Sequence, residues 1–324
     1  MQWMMVVVVL FLLPSVTTAQ SSEPDSDRDG LSDAREDALL AQFAPRFFVA
    51  GDDCSQRPAR FTPSLAEPTV AADDGTIYGQ ASPSADHAGQ VELHYYHLWR
   101  SDCGKMGHPL DAEHVSALVE QDAQAGWRAV YWYAAAHEDT VCDASQITRA
   151  AAVDAVTHGP QVWISRGKHA SFLSGELCTH GCGGDRCSAM KELAAQHLIN
   201  LGEAGAAMNG ATWVDASAWP LADKLRRSDF PATRTARLER LPATDVAWAN
   251  PEKRPMQAVI LGGGDALDGG TTGVRATDTA LVIAHAHTSN ALGRATSSTG
   301  RALAKSYRNV KKALGADAAK SANP

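Results

Sequence analysis

The sequence lacks the marks of several common protein classes. Its 324 residues carry a net charge of −8, which disfavours nucleic acid as a partner. Outside the N-terminus, no stretch holds the roughly eighteen consecutive apolar residues of a membrane-spanning helix. Neither a nucleophile-elbow serine nor a His-Glu-x-x-His motif is present. These absences remove the common hydrolase and metalloprotease signatures, while an ordinary apolar content still allows a packed core.

The N-terminus does contain an apolar run, which extends from Met4 to Pro14. The run is too short to span a bilayer comfortably, and it is followed by small residues up to Ala19, which is typical of a cleavage site. We therefore predict a signal peptide over residues 1–19 and a mature chain that is secreted or periplasmic. A buried valine-rich strand is the alternative interpretation.

Six cysteines fit an oxidising compartment, where an even number predicts up to three disulfides of undetermined connectivity. The last three are interleaved with glycines and could instead form a zinc knuckle, but their spacing is not a standard zinc pattern. We therefore expect disulfides rather than a metal. The cysteines are Cys54, Cys103, Cys142, Cys178, Cys182 and Cys187.

Residues 25–36 match a calcium-binding loop, with carboxylates at the first, third, fifth, ninth and twelfth positions and Gly30 at the sixth. Calcium prefers about six to eight oxygen ligands, and alternate residues of a tight loop point inward. Gly30 permits the turn, and the carbonyl of Leu31 supplies a backbone ligand. The predicted calcium ligands are Asp25, Asp27, Asp29, Leu31, Asp33 and Glu36.

A helix is predicted to leave this loop over Ala34–Phe43, which places Glu36 in its first turn. Only a few residues, including Pro24, precede the loop, so no entering helix is expected. The loop resembles the half-sites of bacterial thrombospondin-type and dockerin-like repeats, which implies a structural role for residues 20–40 rather than a switch. A solvated acidic linker is the alternative interpretation.

The middle of the chain has short strand-like segments separated by loops that carry Gly and Asp. This pattern predicts a mainly β fold with added helices (α+β), built on an antiparallel β-sandwich within residues 41–287. A helix that packs on the sandwich is predicted over Arg186–Gly202. The predicted strands are Val91–Trp99, Glu113–Val119, Trp127–Ala134 and Pro160–Arg166.

A small polar group lies between the first two predicted strands. Asp111 and Glu113 are two residues apart, so on a strand their side chains point to the same face. His108, in the preceding loop, could turn onto that face. Two carboxylates and an imidazole can hold a divalent cation or act as acid and base, although the exposed polar face of a strand explains them equally well.

Three segments resemble the vacuolar protein sorting-associated protein 62 family. Residues 40–48 (LAQFAPRFF) are similar to its opening, residues 107–115 (GHPLDAEHV) to its Gly-His-x-x-Asp-Trp-Glu-His-Val core, and residues 162–172 (VWISRGKHASF) to its Arg-Gly-Ser-His-Ala-Ser-Tyr segment. His137 lies where the family carries a histidine after an intervening strand. His114, His137 and His169 are therefore candidates for lining a ligand cleft, with a buried, hydrogen-bonded role as the alternative for the last two.

The Gly-His-x-x-Asp-x-Glu element also resembles the heptapeptide of the secreted necrosis- and ethylene-inducing proteins. The resemblance implies a β-sandwich and a divalent cation, calcium or magnesium here, held by the set Asp102, His108, Asp111 and Glu113. It also implies binding of sphingolipid sugar headgroups. This sequence departs from the pattern at Leu110 and Ala112, and its shorter upstream loop contains Cys103, so the toxin activity of that family does not follow.

The C-terminal part adds two segments. A strand-like stretch at Gln257–Leu261 leads into Gly262–Gly270, which has no phosphate-loop lysine and is predicted to be a flexible turn. The basic tail over residues 288–324 has apolar residues at helical spacing and predicts a short amphipathic helix or a partly disordered end. It could lie on an anionic membrane surface or pair with the acidic body of the protein.

Three functions are consistent with these features. The first is a secreted calcium-binding protein whose cation-dependent β-sandwich binds a sugar or lipid headgroup, either free or at a membrane surface. The second is a metal-dependent hydrolase that uses the same His/Asp/Glu cluster, with His114 or His137 as general base. The third is a structural module without a ligand. The first is the interpretation that the sequence favours, because the enzyme hypothesis depends on a single cluster and no catalytic residue can be assigned.

Overall fold

The computed structural model describes residues 23–253, except residues 63, 105–106, 125, 141, 183, 194–196, 203–217, 222–223 and 226. Within that part, the α-helices are α1 (Asp33–Gln42), α2 (Gly175–Thr179) and α3 (Ala232–Leu238), and two 3₁₀ turns cover Ala150–Val153 and Pro251–Lys253. The strands are β1 (Arg46–Ala50), β2 (Arg60–Phe61), β3 (Val70–Ala72), β4 (Thr76–Pro83), β5 (Gln90–Ser101), β6 (Pro109–Asp122), β7 (Gly126–Ala134), β8 (Gln146–Arg149), β9 (Gln161–Ile164), β10 (Ser171–Phe172), β11 (Met190–Glu192), β12 (His197–Asn200) and β13 (Val246–Trp248).

The strands form two main sheets and a small hairpin. The larger sheet has the order β12-β4-β5-β6-β7-β8-β13, the smaller has the order β10-β9-β1-β11, and β2 pairs with β3. Most neighbours are antiparallel, while β1 pairs with β9 and β4 with β12 in parallel. The predicted α+β class with an antiparallel sandwich core is confirmed, with these two parallel pairs added to it.

The main core lies between the two sheets. Phe47 and Val49 from β1 pack with Leu93 and Tyr95 from β5 and with Val115 from β6 in one buried cluster. Because side chains alternate along a strand, the even-numbered residues of β5 and β6 project from the opposite face of the larger sheet. That second face is covered by later parts of the chain, and it carries His94 and His114 beside Asp229.

The strands predicted in the middle of the chain are confirmed. The aromatic and β-branched composition of Val91–Trp99 favours a pleated, buried strand, and β5 extends this segment by a few residues. The remaining predicted segments coincide with β6, β7 and β9. The predicted exit helix is likewise confirmed by α1, and Glu36 lies in its first turn.

The predicted helix over Arg186–Gly202 is wrong. The described residues of this segment form β11 and β12 instead. β11 pairs with the edge of β1, and β12 pairs with the edge of β4. The helical spacing of the apolar residues gives only a weak preference for a helix. Pairing with the edge strands β1 and β4 satisfies their backbone groups and outweighs that preference.

All six cysteines form disulfides, as the sequence predicts. The pairs are Cys54–Cys103, Cys142–Cys182 and Cys178–Cys187. In the described part of the chain, no helix has the length and apolar character needed to cross a membrane. The predicted signal peptide, the Gln257–Leu261 strand, the Gly262–Gly270 turn and the basic tail lie outside the described residues.

Candidate functional site

The loop over residues 25–36 brings carboxylates together before α1. The side chains of Asp25, Asp27 and Asp29 offer oxygen atoms that all lie within 4.8 Å of one another. Gly30 has a φ of 99°, the left-handed conformation that glycine adopts at little cost, which is the role the spacing predicts for it. Asp25 also accepts hydrogen bonds from the backbone of Arg28 at 2.7 Å and of Gly30 at 3.2 Å, which closes the turn.

Asp29 and Glu36 each have a buried carboxylate oxygen without a hydrogen-bond donor among the described residues. In the described part of the chain, Oδ2 of Asp29 and Oε1 of Glu36 accept no hydrogen bond. Burial, with repulsion from neighbouring aspartates, raises the pKa of Glu36 to about 8 although Asn200 opposes the shift, and burial raises the pKa of Asp29 to about 6. Burial without hydrogen bonds makes these carboxylates costly to ionise, and a hard dication is the partner that would stabilise their ionised form.

The other predicted calcium ligands take different positions. Asp33 accepts hydrogen bonds from the backbone and hydroxyl of Ser26 at 2.7 and 2.6 Å, so its carboxylate is occupied by the loop itself. Glu36 is held from the far side, because Asn200 at the end of β12 donates to its Oε2 at 3.0 Å. The Leu31 side chain packs in the main core. Coordination by the Leu31 carbonyl and by Asp33 stays a prediction.

A cleft of about 400 Å³ opens between this loop and the larger sheet. The loop contributes Asp29, β4 and β5 contribute polar side chains, and the segment before α3 closes the other wall. Amide, hydroxyl, carboxylate, imidazole and guanidinium groups all face this space. Its lining residues are Asp29, Gln80, Ser82, Pro83, Ala85, Glu92, His94, Leu225, Arg227 and Ser228.

The first half of the predicted second cation site is paired with a lysine. Asp102 accepts a hydrogen bond from the ammonium of Lys168 at 3.0 Å and another from the backbone of Gly104 at 2.6 Å. His108 is near this carboxylate, with Nε2 at 3.9 Å from Oδ2, but its ring is 55% exposed. The structure therefore brings Asp102 and His108 together through a backbone hydrogen bond from Asp102 N to His108 O at 2.9 Å. Their side chains remain 3.9 Å apart.

The second half of that predicted site faces other partners. Asp111 lies 3.2 Å from Nδ1 of His169, and Glu113 lies 3.7 Å from the ammonium of Lys224. Burial raises the pKa of Glu113 well above its ordinary value although Lys224 opposes the shift. Two lysine ammonium groups thus supply positive charge in the region where the sequence predicts a dication. The second cation stays a prediction, and it would have to compete with them.

The three predicted cleft histidines lie in three separate networks. His169 is buried, stacks on Trp99 at 4.2 Å between ring centroids, and lies 3.7 Å from Asp53. Burial alone lowers the pKa of His169, but Asp111 and Asp53 outweigh it and raise that pKa. His137 lies 2.9 Å from Asp185. The residues that line the described cleft include neither of these two histidines, so the hydrogen-bonded alternative fits both.

His114 belongs to a buried polar network on the second face of the larger sheet. Its Nε2 lies 2.8 Å from Oδ2 of Asp229, and Nδ1 of His94 lies 3.4 Å from the same oxygen. Ser116 donates a short hydrogen bond to Asp229, and Glu92 lies 3.5 Å from Nε2 of His94. This network is called the His94–Asp229 cluster below. It connects to the cleft, because Glu92 and His94 also line it.

The charges of this cluster stabilise one another. Burial lowers the pKa of His94, but the hydrogen bonds to Asp229 and Glu92 outweigh this and raise that pKa to about 10. Burial likewise raises the pKa of Asp229, yet the adjacent imidazoles of His114 and His94 hold it well below its usual range. With protein groups alone, the cluster is therefore a buried ion-pair network.

Sequence reasoning missed Glu92, His94 and Asp229. A signal for the first two exists, because Glu92, His94 and Tyr96 alternate along β5 and must share one face. Asp229 comes from a loop 115 residues beyond His114, and no local pattern marks it. Two further groups combine carboxylates or histidine with cysteine sulfur, at Asp53 and at Asp185, but their cysteines are in disulfides and supply no thiolate.

The similarity of this chain to known proteins is found among solved structures. No protein-family model matches it, and a search of curated proteins finds no match. Among solved structures, it is similar to necrosis- and ethylene-inducing protein 2 from the causal agent of Witches' Broom disease of cocoa, with 19% identity over 50% of this chain and 72% of that chain and a TM-score of 0.33.

Two further similar structures are of the protein NLPPya, in complex with glucosamine and with mannosamine. Their identities are 15% and 14%, their TM-scores are 0.33 and 0.32, and each match covers 67% of this chain and 95% of that chain. The solved structures similar to this chain thus include a necrosis- and ethylene-inducing protein, whereas the resemblance to the vacuolar protein sorting-associated 62 family is not shown. At these TM-scores the similarity assigns neither a ligand nor a site residue to this chain.

Proposed function

We propose that this chain is an extracytoplasmic calcium-binding protein that binds a sugar headgroup, free or on a lipid, in the cleft between the calcium loop and the larger sheet. The observation that carries the proposal is the position of Asp29. This residue belongs to the converging carboxylates of the loop and also lines the cleft. A cation in the loop would therefore fix one wall of the ligand site.

The donor set of the loop supports calcium over other cations. The candidate ligands are carboxylate oxygens without sulfur or imidazole, which is the chemistry that hard dications prefer. The buried oxygens of Asp29 and Glu36 would gain the partner that they lack among the described residues. Because α1 begins within the loop, the same cation would also stabilise the attachment of α1 to the sheet through Glu36 and Asn200.

The shape and lining of the cleft support a small polar ligand. A volume of about 400 Å³ lies within the range of about 300–1,000 Å³ that is common for small-molecule sites. Gln80, Ser228 and Arg227 offer polar groups for hydroxyl groups, while Glu92 offers a carboxylate for an ammonium group. An amino sugar carries both kinds of group on one ring.

The disulfides support an extracytoplasmic location. Three disulfides join the described cysteines, and such bonds persist in oxidising compartments rather than in the reducing cytosol. The Cys54–Cys103 bond crosslinks the segment after β1 to the end of β5, close to the predicted second cluster. This location agrees with the predicted signal peptide over residues 1–19.

The proposal is tested by titrating glucosamine into the chelator-treated full chain, with and without saturating calcium. Isothermal calorimetry measures the binding. We expect binding in calcium and at least tenfold weaker binding in EGTA. Arg227→Ala should weaken binding in calcium about tenfold, because a charge-assisted hydrogen bond is worth roughly 1.5–3 kcal/mol. Arg240→Ala, at an exposed position after α3, is the matched control and should bind normally.

Vesicles with and without a glycosylated sphingolipid distinguish a free sugar from a lipid headgroup as the source of the ligand. Calcium binding without binding of any sugar or vesicle would contradict the ligand part of the proposal and leave a calcium-stabilised structural module. Turnover of ester, phosphodiester or glycoside substrates with added metal would instead favour the hydrolase hypothesis.

A further inference from the structure

We infer that the His94–Asp229 cluster is a binding site for a divalent transition-metal ion of the Zn²⁺ class, separate from the calcium loop. The three ligand atoms come from different parts of the chain. His94 lies on β5, His114 lies on the neighbouring β6, and Asp229 precedes α3. All three side chains are buried, and their ligand atoms lie within 4.8 Å of one another.

The separations between these atoms fit a tetrahedral metal. Zinc bonds of about 2.0–2.2 Å to nitrogen and oxygen place neighbouring ligand atoms roughly 3.3 Å apart in a tetrahedron. Nδ1 of His94 lies 3.4 Å from Oδ2 of Asp229, and Nε2 of His114 lies 2.8 Å from it. An outward shift of a few tenths of an ångström by His114 would admit the ion. The hydroxyl of Ser116, 3.2 Å from Nδ1 of His94, belongs to the same group of atoms.

The other side of His94 has the arrangement that metal-binding histidines usually show. A ligating imidazole commonly uses its second ring nitrogen to bond a carboxylate, which fixes the tautomer and the ring orientation. Nε2 of His94 lies 3.5 Å from Oε2 of Glu92 while Nδ1 faces Asp229. Glu92 is itself held, because it accepts hydrogen bonds from Ser228 at 2.6 Å and from Ser84 at 3.1 Å.

The charge balance and the access route also fit a dication. Glu92 and Asp229 bring two carboxylates into a buried region, and one dication with two neutral imidazoles would neutralise both. Imidazole and carboxylate together favour zinc and related metals over calcium or magnesium. Glu92 and His94 line the cleft, which gives the ion a path to the site and an open side for a fourth ligand.

The test is metal binding by the full chain at saturating calcium, which keeps the loop occupied. After chelator treatment, Zn²⁺ is titrated in a calorimeter, and Co²⁺ is added in a parallel sample to record its visible absorption. We expect one Zn²⁺ per chain and the absorption band of a tetrahedral Co²⁺ site. His94→Gln, His114→Gln and Asp229→Asn should each reduce the Zn²⁺ affinity at least about 100-fold.

Two further variants control the interpretation. Glu92→Gln should keep the stoichiometry and lower the affinity about 10- to 100-fold, because it removes only the carboxylate behind His94. His158→Gln, which removes an exposed histidine distant in sequence from the cluster, should bind as the wild type does. A wild-type chain that takes up no Zn²⁺ would overturn the inference, since the cluster is then an ion-pair network only. Wild-type affinity in the folded His94→Gln or His114→Gln chain would overturn it as well.

Discussion

Two acidic regions of this molecule balance their negative charge in different ways. In the predicted calcium loop at residues 25–36, carboxylates of Asp25, Asp27 and Asp29 converge, and Glu36 has a buried oxygen without a hydrogen bond among the described residues. In the region of Asp102 to Glu113, the carboxylates face protein cations instead, among them Lys168 and Lys224. In these two regions, the need of the carboxylates for a dication therefore depends on which lysines the fold places beside them.

The difference follows from how each region is assembled. The loop is twelve consecutive residues, so local turns bring its candidate ligands together and no ligand has to come from a distant part of the chain. The second region is made where β5 ends and β6 begins, and later segments of the chain bring lysines and histidines to it. Long-range packing decides its charge balance, whereas sequence spacing decides that of the loop.

The largest effect is expected from removing the ammonium beside Glu113. Lys224→Met leaves Glu113, which lies 3.7 Å from Nζ, without its lysine counter-charge, whereas Glu138 keeps Arg227 at 3.2 Å. Breaking one side of a buried ion pair costs about 3–5 kcal/mol, so denaturant unfolding in EDTA should show a loss of about 3 kcal/mol. If the predicted second cation is real, added Ca²⁺ or Mg²⁺ should restore part of this loss.

Lys191→Met, an exposed lysine on β11, is the control and should change the free energy of unfolding by less than about 0.5 kcal/mol. If the loss of stability in Lys224→Met relative to wild type is the same with and without each cation, the cluster contains ion pairs alone. The second cation site at Asp102, His108, Asp111 and Glu113 would then be wrong.

A smaller effect is expected in the loop, and its sign should depend on calcium. At a calcium concentration 100-fold above Kd, binding stabilises the wild type by about 2.7 kcal/mol. Glu36→Gln should lose most of this increment, because it removes the charge of a buried ligand. In EGTA the same variant should be at least as stable as the wild type, since the substitution relieves repulsion among converging carboxylates. Thermal unfolding in both buffers measures whether the order of stability of variant and wild type reverses between calcium and EGTA. A variant that is less stable than wild type in both buffers would contradict the prediction.

The smallest effect is expected from the residue that orients Glu36. Asn200→Ala removes its hydrogen bonds to Glu36 and to Asp37, of 3.0 and 3.2 Å. The loss of a hydrogen bond to a charged group costs roughly 1.5 kcal/mol or somewhat less at a shared site. Calcium affinity should fall about tenfold, because a ligand held from its far side loses orientation. A calcium titration monitored by tryptophan fluorescence measures the affinity. An unchanged affinity would show that Asn200 does not orient Glu36 for calcium binding.

The sequence predicts those parts of the fold and site that local pattern controls. The strand at Val91–Trp99, the exit helix after Ser32 and the turn at Gly30 all follow from neighbouring residues and are found where expected. The helix over Arg186–Gly202 fails because two sheet edges recruit that segment as strands. The histidines of β5 and β6 could be placed on one face by alternation, but Asp229 could not, since it reaches them through a loop far along the chain.

Calcium titration of the chelator-treated chain tests the central claim most directly. The wild type, Glu36→Gln and the exposed-loop control Glu67→Gln are compared by calorimetry together with elemental analysis for bound calcium. Glu36→Gln is expected to lose one bound Ca²⁺ per chain relative to wild type, and Glu67→Gln is expected to lose none. Equal calcium content and equal affinity in wild type and Glu36→Gln would contradict it.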